Sequence, residues 1–240
     1  MARTPALTLV FVVALGACDP PAPLEPRAAA EVGAGDPLAR LEARRRALAH
    51  DLALAKDGAA RSAVLRRAAA TLEHALVDEV LPRWDGTAWA FHGTSTTPRE
   101  GAIACGYFVS TTLREAGLAV ERIRLAQQAS ERIVKTLSPK EQVQRFSDVP
   151  VEEFVAAVAR RGDGLYVVGL DDHVGYLVVR GGVVFFHHAS YVGARKVVRE
   201  LAVEARPLVK SRYRVVGKLF ADDRVVEAWL LGAPIATSAT

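Results

Sequence analysis

The chain has 240 residues, half of them hydrophobic and 24% charged, with a formal net charge of +4. That balance supports one folded domain with some additional helical material, and excludes a chain too polar to bury a core. The charge is too small to argue a nucleic-acid partner, and no basic stripe interleaves with aromatic residues; the mild positive excess suits anionic lipid or wall polymer.

Arg3 supplies a positive start, and Ala6 to Leu15 is an apolar run too short to span a bilayer as a mature helix. The run ends in Leu15-Gly16-Ala17-Cys18. This resembles the bacterial lipobox, in which small residues precede a cysteine that becomes the lipidated first residue. Residues 1–17 are therefore expected to be a lipoprotein signal peptide, with Cys18 as the lipidation site holding the protein on the periplasmic side of an envelope membrane. The other reading is an ordinary signal peptide with a chance cysteine. Residues 18–35, rich in Pro, Ala and Gly, read as a tether. There are two cysteines in all. If Cys18 carries lipid, Cys105 has no intramolecular partner. It is then either a small buried hydrophobe or a free thiol with a task.

Residues 36–82 read as an N-terminal helical region. Asp36-Pro37 is a cap followed by a proline at the first helical position. Leu38, Leu41, Leu48, Leu52 and Ala55 follow at helical spacing. A second helix is expected from Ala59 to Val80, stopped by Pro82. Trp84 to Gly101 reads as loop, and Cys105 to Ala116 as a helix ended by Gly117. Further helices are expected at Ala126 to Lys135 and Val151 to Arg161. The character then changes: Leu165–Leu170, Val174–Val179, Val183–His188 and Arg212–Phe220 read as strands. Val225 to Leu231 is either a fifth strand or a closing helix. The segment after Gly232, residues 233–240, reads as a frayed tail. Helices followed by a meander of strands argue an α+β fold, with its main domain over residues 83–232.

Cys105 falls at the junction of a Gly/Thr-rich loop and a helix. The partial positive charge of a helix N-terminus favours a thiolate and should lower the thiol pKa. Gly106 beside it would let a substrate approach the backbone, and the main-chain N–H groups there can donate to an oxyanion. His173 opens a strand, which suits a base held at fixed height. Arg180-Gly181-Gly182 signals a hairpin. With a two-residue loop, whether Gly181-Gly182 or Arg180-Gly181, His188 lies on the face of His173 and His187 on the other, because side chains alternate with period two. A three-residue loop reverses the choice. His188 is thus the expected third residue, orienting His173. His50, His74 and His92 show no metal-ligand spacing, so no metal or other cofactor is expected.

These residues resemble the NlpC-type (NlpC/p-sixty) cell-wall cysteine peptidases. The family reads D-C-S-G-F-V, then H-V-G-I-Y-L, then H-A-S. This chain reads Ala104-Cys105-Gly106-Tyr107-Phe108-Val109, His173-Val174-Gly175-Tyr176-Leu177 and His188-Ala189-Ser190. Gly86 to Ser95 is similar to the family's G-T-P-Y-R-W-G-G-T-S. The resemblance covers Trp84 to Ser190. It implies a papain-like fold, with a nucleophile helix packed on a small antiparallel β-sheet beside the N-terminal helical pair. It also implies a cysteine peptidase or amidase: Cys105 as nucleophile, His173 as base, His188 as third residue, and peptidoglycan stem peptide as substrate. The departures are Ala104 for Asp, Trp89 for a Tyr whose hydroxyl assists the site, and His92 for Gly. Trp89, Gly106, His92 and His187 are the further substrate or oxyanion candidates. Gln127-Gln128 belongs to an elaboration that shapes access. Two other functions fit the same residues: a non-catalytic lipoprotein that binds wall peptides, and a cysteine acyltransferase or lipid amidase. A monomer is expected.

Overall fold

The computed structural model describes Met1, residues 36–193 and residues 195–237. The expected signal peptide beyond Met1, Cys18 and the expected tether therefore lie outside the described residues. Residues 36–193 and 195–237 fall in one compact unit of mixed α+β structure.

Helix α1 (Pro37–Leu54) starts at Asp36, whose carboxylate accepts from the Leu38 N–H at 3.1 Å, with Pro37 in the first turn. Helix α2 (Gly58–His74) is capped in the same way by Asp57, 2.8 Å from the Ala60 N–H. It does not stop before Pro82. A π turn over Ala75–Val80 leads directly into α3 (Leu81–Arg83), which contains that proline. The π turn resets the hydrogen-bond ladder one residue wide, and the first turn after it has no need of the N–H that proline lacks. Trp84, fully buried, ends the run.

Strands β1 (Ala88–Trp89) and β2 (Ala102–Ile103) pair in parallel, and β2 leads into α4 (Cys105–Glu115). Next come β3 (Ala119–Val120), α5 (Arg122–Ala126) and α6 (Ser130–Leu137). The helix expected over Ala126 to Lys135 begins instead at Ser130, and Ala126 ends the separate short helix α5. A strand unforeseen in the sequence, β4 (Val143–Ser147), precedes α7 (Val151–Ala159). The strands β5 (Gly164–Leu170), β6 (Val174–Arg180), β7 (Val183–Ala189) and β8 (Val197–Leu201) form a meander. After α8 (Arg206–Lys210), β9 (Tyr213–Lys218) returns to pair with β5, and β4 pairs outside it. The six strands run in the order β4-β9-β5-β6-β7-β8, every neighbour antiparallel. Val225 to Leu231 lies in a closing helix, α9 (Asp223–Leu231). The segment expected to fray includes β10 (Pro234–Ile235), which pairs with β3 and buries Ile235.

Both faces of the sheet are covered, so its central strands are buried along their length. Leu165, Val167, Val174, Tyr176 and Val178 face a core shared with α1, α2, α4, α6 and α9. Tyr166, Val168, Leu177, Val179 and Phe186 face a second core under α7 and α8. Arg45 of α1 ties the first layer together by donating to the Trp229 and Leu230 carbonyls at the end of α9. A cation at a helix C-terminus is the favourable end of the macrodipole. None of the described helices is long and apolar enough to cross a membrane.

Candidate active site

The β6–β7 hairpin sets the geometry. Gly181 and Gly182 both have positive φ, 56° and 79°, as a two-residue loop between right-twisted strands requires. Val179 then opposes Val184, and Tyr176 opposes His187. The next pair along brings Gly175 against His188. A Cβ at Gly175 would lie 2.8 Å from the His188 Cβ and 2.7 Å from the Phe186 ring, so only glycine leaves room for them. Phe186 stacks on His188 with centroids 4.0 Å apart. His188 is fully buried and its Nδ1 lies 2.8 Å from His173 Nε2. On its other side, His188 Nε2 meets Glu200 of β8 at 2.9 Å.

His173 sits just before β6 and is 2% exposed. Its Nδ1 is buried and has no hydrogen-bond partner. Burial, reinforced by the neighbouring His188, holds its pKa well below the ordinary 6.5. Burial also lowers His188, against the opposing pull of Glu200.

Cys105 is the first residue of α4. Its cap residue, Ala104, offers no side-chain hydrogen bond, so the first-turn N–H groups are not taken by a capping side chain. The sulfur is near the main-chain N–H groups of Val174 and Gly106 as well as its own; these favour the thiolate. The net effect is nevertheless opposite to the sequence expectation. Desolvation is larger and pushes the Cys105 thiol above its ordinary value, with Asp172 adding to the rise. Helix α4 is pinned to the sheet by Tyr176, whose hydroxyl donates to the Val109 carbonyl at 3.0 Å and lies 2.9 Å from Thr112 Oγ1. This fixes the height of Cys105 against β6. Gly106 has a packing reason of its own: a Cβ there would run into the Ala126 carbonyl at the end of α5.

Cys105, Gly106, Asp172 and His173 line a cavity of about 640 Å³ with walls from Trp89, Phe91, Tyr107 and Tyr191. Trp89 reaches it because β1 pairs with β2 in a register that opposes Trp89 to Ile103, two residues before Cys105. Its indole Nε1 is buried and unpartnered, and the Arg195 guanidinium lies 4.7 Å from the ring centroid. His92 and Thr94 line the cavity from the loop that folds over β2. Arg122 holds that loop, donating to the Thr94 and Ser95 carbonyls and to Thr111 Oγ1 while covering the Tyr107 ring. Gln127 also reaches the cavity.

His187 is not part of the cavity lining. It points to the α4 face, packs on Phe108 with centroids 5.7 Å apart and bonds Asp85 at 2.8 Å. Five groups at the site went unread in the sequence: Asp172, Tyr191, Phe91, Tyr107 and Glu200. Asp172, immediately before His173, carried a positional signal. Glu200 carried none without β8. Among the described residues, no group of three or more His, Cys, Asp or Glu side chains is placed to hold a metal ion. Compared with family models, curated proteins and solved structures, the chain matches none of them.

Proposed function

We propose that the protein is a papain-like cysteine hydrolase of the cell envelope that cleaves amide bonds in peptidoglycan stem peptides, as the resemblance to NlpC-type peptidases implies. The observation that carries this reading is the His173–His188 hydrogen bond of 2.8 Å at the wall of the cavity that holds Cys105, with the other nitrogen of His173 buried and free. A buried ring nitrogen without a partner is costly and rare unless it has work to do. Here it is the available base.

In this reading His173 Nδ1 takes the proton from the Cys105 thiol as the sulfur attacks the amide carbonyl. Because burial raises the thiol and lowers the imidazole, the resting pair is neutral, and the proton moves during attack rather than before it. The tetrahedral oxyanion accepts from main-chain N–H groups at the start of α4, which Ala104 leaves uncapped. The Trp89 indole N–H is the second donor: an unsatisfied buried donor in the cavity wall matches a site where charge develops. The amine leaves with the proton held on His173. Water then hydrolyses the thioester, giving a proton back to sulfur through His173. Gram-negative or Gram-positive origin does not alter this chemistry, and lipidation at Cys18 would keep the enzyme beside its substrate.

The test is mass spectrometry of purified peptidoglycan incubated with the protein and, in parallel, with Cys105→Ala. New fragments with the wild type alone are expected, and their masses identify the bond. No fragments from either, with Cys105 inert to iodoacetamide, would overturn the reading in favour of a wall-peptide binding protein. The aromatic walls favour one second reading, an acyltransferase or lipid amidase with the same dyad. A thiol that is alkylated but leaves the wall intact would point there.

A further inference from the structure

We propose that Glu200 is a positioning residue that sets the tautomer of the His188–His173 pair and so leaves the base nitrogen of His173 bare. The inference rests on the reading of Cys105 and His173 as nucleophile and base.

Strand β8 pairs along the outer side of β7, with His188 opposite Val198. Glu200 is two residues further on and shares that face, within diagonal reach of His188. Its Oε1 is 2.9 Å from His188 Nε2, and its side chain is 37% exposed, so one carboxylate oxygen turns inward at the edge of the sheet. A carboxylate accepts and does not donate. His188 must therefore carry its proton on Nε2. A neutral imidazole has one N–H, so His188 Nδ1 is an acceptor. The donor facing it at 2.8 Å is His173 Nε2. His173 then has no proton on Nδ1, the nitrogen that lacks any partner.

The alternative tautomer runs the chain backwards. A proton on His188 Nδ1 would donate to His173 Nε2 and drive the His173 proton to Nδ1. That nitrogen would then be a donor and unable to deprotonate a thiol. The two rings alone are indifferent between these states; the acceptor-only group at the far end is not. Burial keeps each ring to one proton near neutral pH. During attack the S–H bond breaks and an N–H bond forms at His173 Nδ1, while the protons on His173 Nε2 and His188 Nε2 stay where Glu200 has put them.

The experiment uses the full chain labelled with 15N-histidine, with long-range 1H–15N correlation reading which ring nitrogens are protonated. His173→Gln and His188→Gln assign the two rings. The wild type is expected to show both rings protonated at Nε2. In Glu200→Leu, a share of His188 should move to the Nδ1–H form, with His173 following. Turnover of wall fragments should fall roughly 10- to 100-fold in kcat with KM nearly unchanged. Glu200→Gln offers either a donor or an acceptor and should fall between. Unchanged tautomers in Glu200→Leu, or a loss confined to KM, overturns the proposal. If the wild type itself releases no wall fragments, the hydrolase reading falls, and the tautomers alone uphold or overturn the role of Glu200.

Discussion

His187 and His188 are adjacent on β7, both are buried and both bond a carboxylate, yet they belong to different halves of the molecule. His187 faces the α4 layer, bonds Asp85 and packs on Phe108. His188 faces the α7 and α8 side, stacks on Phe186, bonds Glu200 and continues to His173. A buried histidine with a carboxylate partner is therefore not by itself the mark of a site. What distinguishes His188 is connectivity: its second nitrogen leads to a ring whose last nitrogen is unsatisfied in the wall of a cavity. His187 joins the first layer to the loop that carries Asp85, which is a structural task.

The largest effect is expected at the proposed catalytic end of the His188–His173 pair. His173→Gln keeps a polar side chain of similar length but removes the proposed base, and wall-fragment release should fall by roughly 10⁴- to 10⁶-fold, as when a triad member is lost. A residual rate near wild type would show that the unpartnered nitrogen is not the base. The next largest contrast is between the neighbours. His188→Ala should lower kcat about 100-fold through a mis-set His173. His187→Ala should leave kcat within about twofold per folded molecule while costing about 1–3 kcal/mol in denaturant unfolding, chiefly from the cavity left beside Phe108. Equal kinetic losses for the two would erase the distinction between His187 and His188. Trp89→Phe keeps the ring and removes the indole N–H; a loss of about 10- to 100-fold in kcat is expected if it donates to the oxyanion, and a change in KM alone would assign it to ground-state binding.

The smallest effects are in pH. His173 and His188 have folded pKa values below the ordinary 6.5. For a base lowered on folding, the unfolded chain binds more protons, so the stabilisation is complete above pH 6.5 and is lost as pH falls through the folded values. Unfolding midpoints should therefore decline on acidification below about pH 6.5, and less so in a His188→Ala background. In the proposed mechanism, the competent form has His173 neutral and Cys105 protonated. The acid limb of kcat/KM should lie below pH 6.5, and the alkaline limb above the thiol's ordinary 9.0, because burial raises Cys105. A profile with its acid limb near the bottom of the carboxylate range and a thiolate already formed at neutral pH would instead indicate a preformed ion pair.

Much was determined by the sequence alone, and for local reasons. Period-two alternation with a two-residue turn at Arg180-Gly181-Gly182 puts His188 on the face of His173 whichever pair forms the loop; the folded hairpin selects Gly181-Gly182, and a one-residue slip would have exchanged His187 for His188. Asp36-Pro37 and the run around Cys105 marked helix starts through capping and hydrophobic spacing. Other features needed the tertiary structure because they depend on segments far apart in the chain. Strand β8 has a weak pattern of its own and becomes a strand by pairing with β7, which is what brings Glu200 to His188. Pro82 continues a helix because the π turn before it shifts the ladder. The Cys105 thiol is raised rather than lowered because burial outweighs the main-chain N–H groups of the helix terminus and Val174, and desolvation is a property of the packed whole that no local motif encodes.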